Sequence, residues 1–186
     1  MKAIARTFAV LALLAAPLTA QRAETGPAHI ILIRHGEKPA DPADPHLAPA
    51  GVVRSQALVS FITTDPAMVG LGTPAAIFAT RTTKDDNGQR TQETVAPLAR
   101  ALKLPVQVPY LGKDFASLAR DILSSPALAG KTVLICWNHE FIPQLVAALG
   151  ARPPAPKWKG SVFDAVYVIT YHKRKPTLEI TRYGAR

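Results

Sequence analysis

Short apolar runs that each stop at a charged or glycine-bearing turn, with helically spaced stretches between them, restrict the fold of this chain more than any other feature. Residues 29–33 are rich in isoleucine and end at Arg34-His35-Gly36; residues 75–79 end at the polar stretch 80–89; residues 131–137 end at Asn138-His139-Glu140. Each has the length and apolar density of a buried strand. Between them, residues 51–63 place Val53, Ala57, Leu58 and Phe61 at helical spacing, and residues 90–102 gather Thr94, Leu98, Ala101 and Leu102 near one helix face despite Pro97. A short strand is expected at 106–108, a helix from Asp114 to Leu123 with Asp114 as its cap, and a helix over 141–149 stopped by Gly150. Two closing strands, 165–171 and 177–182, flank the basic turn 172–176, while 41–49 and 152–160 are proline-containing loops.

Strands alternating with helices predict an α/β fold, a three-layer α/β/α sandwich with a mostly parallel central sheet. Ligands of such sheets gather outside the carboxyl ends of the strands. That rule sets Arg34-His35, the stretch from Thr80 and Asn138-His139-Glu140 along one edge, because each follows directly on a strand.

At 186 residues and 48 % apolar composition, one domain with a real core is expected, spanning 21–186. The first twenty residues read separately: Lys2 and Arg6 form a basic start, residues 7–20 are almost entirely apolar, and Pro17-Leu18-Thr19-Ala20 offers a small residue at a cleavage point. This is the pattern of a secretory signal peptide over 1–20. The apolar stretch is shorter than the roughly 20 residues a membrane span needs, so no stable membrane insertion is expected once the leader is removed. The expected location is periplasmic or secreted. Cleavage after Ala20 and after Ala23 both fit.

Cys136 is the only cysteine, so no disulfide can form within the chain, and its apolar run reads it as a small buried hydrophobe. The formal charge of +9 falls to about +7 without Lys2 and Arg6. Such a surface suits anionic partners. Aromatic residues are few and no basic stripe is interleaved with them, which argues against nucleic acid. His29, His46 and His172 have no partners at metal-ligand spacing, so neither a metal nor another cofactor is implied.

Phosphoryl transfer asks a protein for an in-line nucleophile, cations around the equatorial oxygens and a proton for the leaving group. A neutral imidazole attacks phosphorus when one ring nitrogen is held by a hydrogen bond and the other presents its lone pair. His35, at a rigid strand end, suits this role. Arginine's planar fork donates two parallel hydrogen bonds to phosphate and stays charged at any working pH. Arg34 and Arg90 are the candidates, with Arg81 as a third.

With these residues in place, the chain resembles the histidine phosphatase superfamily, which contains phosphoglycerate mutases and acid phosphatases. The resemblance covers most of the mature chain and rests on four ordered motifs. The Arg-His-Gly hallmark stands as Arg34-His35-Gly36-Glu37 at the end of the first strand. The signature Leu-Thr-x-x-Gly-x-x-Arg is similar to Leu47-Ala48-Pro49-Ala50-Gly51-Val52-Val53-Arg54, with Ala48 replacing threonine. Arg90-Thr91-Gln92-Glu93-Thr94 looks like the helix start that carries a second pocket arginine, and His139 follows the late apolar strand as the second histidine. The resemblance implies a phosphoglycerate mutase-like fold, phosphorylation of His35, and phosphoryl oxygens held by Arg34, Arg90 and His139. The interval before Arg90 is longer than the family's usual one, which leaves Arg81, and also Lys84, as rivals for its place.

The proton donor implied by the acid-phosphatase branch is Glu140, directly after the second histidine; the mutase branch would place a glutamate mid-chain, where only Asp114 and Asp121 stand. Glu37 is a further candidate, or a carboxylate that orients an arginine. Trp137 and Trp158 either wall a cleft or pack. The expected activity is hydrolysis of phosphomonoesters through a phosphohistidine, acting on a small phosphorylated substrate or a phosphorylated envelope component. A mutase lacks support, since the chain has no length for larger lid insertions. The alternative of another class is a non-catalytic module that binds a phosphorylated ligand in the retained pocket.

Overall fold

The computed structural model describes residues 26–84, 88–173 and 175–183. The expected leader over 1–20 lies outside the described residues, and among the described residues no helix is long and apolar enough to cross a membrane.

The chain alternates as expected. Strand β1 (His29–Arg34) leads to helix α1 (Pro49–Thr64) and a single helical turn α2 (Pro66–Val69); β2 (Pro74–Phe78) leads to α3 (Gln89–Leu102); β3 (Val106–Gln107) leads to α4 (Phe115–Ser124); β4 (Thr132–Trp137) leads to α5 (Ile142–Ala148); β5 (Ala165–His172) and β6 (Lys175–Arg182) close the chain. The six strands form one sheet in the order β3-β2-β4-β1-β5-β6. β3, β2, β4 and β1 are parallel, whereas β5 runs antiparallel to β1 and β6 antiparallel to β5. The sheet is therefore mostly parallel with an antiparallel hairpin on one side, as a direct connection between β5 and β6 requires.

The period-two geometry of β1 explains the three layers. Ile30 and Leu32 face one core with Leu118, Ile122, Ile142 and Leu145 of α4 and α5. Ile31 and Ile33 face the other with Leu58, Ile62, Val95 and Leu98 of α1 and α3. The central strands β1 and β4 are covered on both sides, which is why they read as continuous apolar runs rather than alternating ones.

Two local details differ from expectation, and the open choice for the tryptophans is decided. β5 and β6 extend into the basic stretch, with His172 paired to Lys175, because the reversal is tighter than a five-residue turn and Lys173 takes a left-handed φ of 48°. Asp114 stands at the start of α4 but makes no side-chain cap there; its carboxylate accepts from the Leu111 N–H of the preceding turn at 3.2 Å. The two tryptophans pack rather than wall a cleft: Trp137 is fully buried and donates to the Gly112 carbonyl, and Trp158 lies against Tyr167 with ring centroids 4.6 Å apart. Cys136 is fully buried beside Thr94, and burial pushes its thiol pKa far up.

The start of α1 is pressed against the turn after β1. A Cβ on Gly51 would stand 2.6 Å from the Glu37 carbonyl oxygen and 2.8 Å from its nitrogen. Alanine favours helices over glycine by about 1 kcal/mol at most, too little to offset contacts with backbone that has no rotamer to yield. Gly51→Ala is therefore expected to destabilise the fold by about 1–3 kcal/mol in urea unfolding; an unchanged or raised midpoint would show that this turn has slack.

Candidate active site

Parallel pairing sets Arg34 of β1 directly opposite Trp137 of β4, so the residues that follow both strands emerge side by side. His35 and His139 meet there with ring centroids 6.0 Å apart at an interplanar angle of 75°. They share a cleft of about 130 Å³ with Arg34, Lys38, Arg90, Asn138 and Glu140.

The His35 ring is buried, at 8 % exposure, and its Nδ1 lies 2.7 Å from the Gly36 carbonyl oxygen. A carbonyl can only accept, so Nδ1 carries the proton and Nε2 keeps its lone pair. Burial lowers the pKa to about 4, against the opposing Gly36 hydrogen bond and with help from Arg34, Arg90 and His139. The ring is therefore neutral near neutral pH. The His139 pKa is lowered chiefly by burial, then by Arg34, with Glu140 opposing.

Arg34 is only 2 % exposed. Its Nη1 donates to the carbonyls of Gly160 at 2.5 Å and Val162 at 3.3 Å, and its guanidinium carbon lies 3.8 Å from the centroid of the Phe163 ring. Burial lowers its pKa to about 10, still high enough to keep the charge, with Glu37 and Glu140 opposing. Its Nε is buried and has no hydrogen-bond partner among the described residues. An orphaned donor on a charged group is costly unless an acceptor arrives.

Arg90 reaches the cleft because α3 starts hard against the end of β2. The Thr91 hydroxyl lies 3.1 Å from the Thr80 N–H, and a Cβ on Gly88 would stand 2.4 Å from the Thr80 carbonyl oxygen. Thr94 ties the same helix to the histidine turn, accepting from the Gly36 N–H at 2.8 Å and donating to the Arg90 carbonyl at 2.7 Å. The Arg90 Nη1 donates to the Asp44 carbonyl at 2.9 Å. The loop carrying Asp44 is held down by Glu93, whose carboxylate meets His46 Nδ1 at 2.5 Å and the Leu47 N–H at 2.9 Å.

The structure thus brings Arg34, His35, Arg90, His139 and Glu140 together and leaves Arg81 out. Arg81 is exposed, outside the cleft lining, and its backbone N–H is bound to the Tyr110 carbonyl at 2.7 Å beyond β3. Lys84 is also exposed and outside the lining. Residues 81–84 are exposed, and of the two arginines it is Arg90, on the first turn of α3, that lines the cleft. Glu37 faces Arg54, which donates to both carboxylate oxygens at 2.6–3.0 Å. Burial alone would raise the Glu37 pKa, yet the Arg54 hydrogen bonds hold it below the ordinary range. Asp114 and Asp121 lie outside the lining, and Asp121 accepts from the Tyr110 hydroxyl.

Lys38 and Asn138 line the cleft without having been singled out in the sequence, although both adjoin the motifs that were. Phe163 had no sequence signal at all. Among the described residues no group of three or more metal-ligating side chains assembles.

No family model and no curated protein matches the chain. Solved structures do. Phosphoserine phosphatase from Entamoeba histolytica, in complex with 3-phosphoglyceric acid, matches with TM-score 0.51 and 15 % identity over 85 % of this chain and 97 % of its own. Alpha-ribazole phosphatase from Shigella flexneri matches with TM-score 0.52 and 15 % identity over 83 % and 96 %. A mycobacterial glucosyl-3-phosphoglycerate phosphatase with inorganic phosphate matches with TM-score 0.51 and 14 % identity over 85 % and 97 %. The architecture of this chain is the one these phosphatases share, the phosphoglycerate mutase-like fold implied by the sequence motifs.

The two cleft imidazoles and that of His46, on the loop that receives Arg90, should titrate apart. NMR titration is expected to find His35 near 4, His139 below its ordinary value and His46 above it, the last because of its hydrogen bond to Glu93. The lowered pKa of His35 means that the unfolded chain binds its proton first; the stability tied to it is whole above about 6.5 and falls on the order of 3 kcal/mol as pH drops to about 4. His46 acts in the opposite sense, its contribution being present below about 6.5 and lost as pH rises through its elevated value. An ordinary midpoint for His35 would contradict its buried, neutral state.

Proposed function

We propose that this chain is an exported phosphatase of the histidine phosphatase superfamily that hydrolyses phosphomonoesters through a phosphohistidine on His35. The observation that carries this reading is the meeting of two imidazoles 6.0 Å apart in one cleft with Arg34 and Arg90. The basic, leader-like start of the sequence supports export to the periplasm or beyond.

The chemistry follows from the state of each group. The Nε2 lone pair of His35 forms a bond to phosphorus as the bond to the departing alcohol oxygen breaks, while Nδ1–H stays on the Gly36 carbonyl. Arg34 and Arg90 donate to the equatorial oxygens, where the buried Nε of Arg34 finds its acceptor. His139 and Asn138 add donors from the end of β4. Glu140 gives its proton to the leaving oxygen. Water then attacks the phosphohistidine and passes its proton to the Glu140 carboxylate; inorganic phosphate leaves and the neutral His35 ring is restored.

The lining of Arg34, His35, Lys38, Arg90, Asn138, His139 and Glu140 contains no apolar side chain. This suits a small polar phosphate ester, or a phosphorylated group presented at the surface of an envelope component.

Purified mature protein is expected to hydrolyse an aryl phosphate and to form an acid-labile phosphoenzyme in rapid quench, with both lost in His35→Ala. Tight binding of inorganic phosphate with no turnover across a broad panel of esters would make the chain a binding module instead. Glu140→Gln is expected to slow esters with poor leaving groups by roughly a hundredfold or more while barely affecting activated aryl esters, because only the former need the proton. Equal slowing of both classes would remove Glu140 from the donor role.

A further inference from the structure

Phe163 lies in neither a helix nor a strand and does not line the cleft, yet it touches two of the groups that do. Its ring lies against the Arg34 guanidinium at 3.8 Å and meets the His35 ring edge-to-face, with centroids 6.3 Å apart at 67°. The turn that carries it is fixed from several sides. The Val162 N–H donates to the Lys159 carbonyl at 3.0 Å, Trp158 Nε1 to the Val162 carbonyl at 2.8 Å, and the Tyr183 N–H to the Asp164 carbonyl at 2.9 Å. Arg182 adds an ion pair to Asp164 at 2.7 Å.

The same turn takes up Nη1 of Arg34 through the carbonyls of Gly160 and Val162. A guanidinium offers two forks, Nη1 with Nη2 and Nε with Nη2. With Nη1 turned to the backbone, the fork available to a tetrahedral anion is the one that contains the buried, unpartnered Nε. Hydrogen bonds to Nη1 alone leave the plane free to roll about that contact, and an aromatic face pressed on the plane stops the roll. The edge-to-face contact likewise limits rotation of the His35 ring, which a single hydrogen bond at Nδ1 does not.

We propose that Phe163 is a positioning residue, whose ring orients the Arg34 guanidinium and the His35 imidazole together toward one phosphoryl group. The proposal rests on the phosphatase reading for its consequence in turnover, but its consequence for anion binding does not require turnover.

Phe163→Leu keeps apolar bulk and removes the aromatic face; Phe163→Tyr keeps the face. Three measurements on the mature protein decide the matter: calorimetric binding of inorganic phosphate, steady-state kinetics on an aryl phosphate, and the thermal midpoint. The Leu variant is expected to bind phosphate roughly tenfold more weakly and to lose kcat by a similar or larger factor, with little change in midpoint, and the Tyr variant to recover both. Unchanged phosphate binding and kcat in the Leu variant would overturn the proposal. So would a loss that the Tyr variant does not restore, or one that tracks a fall in the midpoint, since each assigns Phe163 to packing. If the wild type turns over no ester while the Leu variant still weakens phosphate binding, the catalytic reading fails and the positioning role stands. A wild type that binds no phosphate sinks both.

Discussion

The rim of the sheet depends on one pairing, the parallel ladder between β1 and β4 that sets Arg34 opposite Trp137. Both strands are buried along nearly their whole length and apolar on both faces. A slip by one residue would exchange Ile30 and Leu32 for Ile31 and Ile33, all of them isoleucine or leucine, so hydrophobic alternation does little to define the register. A polar contact crosses between the strands at their start, where the Ala28 N–H binds the Lys131 carbonyl, while the Trp137 indole, bound to the Gly112 carbonyl, holds the end of β4 to the turn before α4. In the register observed, Arg34 stands opposite Trp137 and the two histidine-bearing turns leave the sheet side by side.

The cations of the site are held without being neutralised. Arg34 is tethered by the carbonyls of Gly160 and Val162, and Arg90 by the carbonyl of Asp44. Among the described residues neither forms an ion pair with a carboxylate, whereas Arg54, only a turn away, is taken up by Glu37. A carbonyl dipole fixes the direction of a guanidinium and leaves its net charge in place. Burial strengthens the field of that charge and at the same time keeps the His35 ring neutral. A cationic pocket around an uncharged nucleophile follows from these two effects together.

Much of this was legible in the sequence because the information is local. The apolar runs at 29–33, 75–79 and 131–137 report burial on both faces of a strand, and the residues directly after them share an edge by the geometry of parallel sheets. What escaped notice depends on distant pairings. Arg81 and Arg90 both follow β2, and the choice between them is made by the hydroxyls of Thr91 and Thr94, which draw the start of α3 toward Thr80 and Gly36. Phe163 reaches Arg34 only because β5 returns beside β1, so neither its neighbours nor its spacing marks it. The antiparallel hairpin at the other side of β1 departs from the alternation of strand and helix and adds no residue to the cleft lining.

Cys136, on β4, is sealed against Thr94, the residue that links α3 to the histidine turn. A thiol without exposure and with its proton held tightly is a poor target for oxidants, for thiol–disulfide exchange and for soft metal ions. The domain therefore owes its shape to no cross-link and risks none by mispairing. It could pass between reducing and oxidising surroundings with its covalent structure unaltered, which frees its folding from any dependence on redox enzymes.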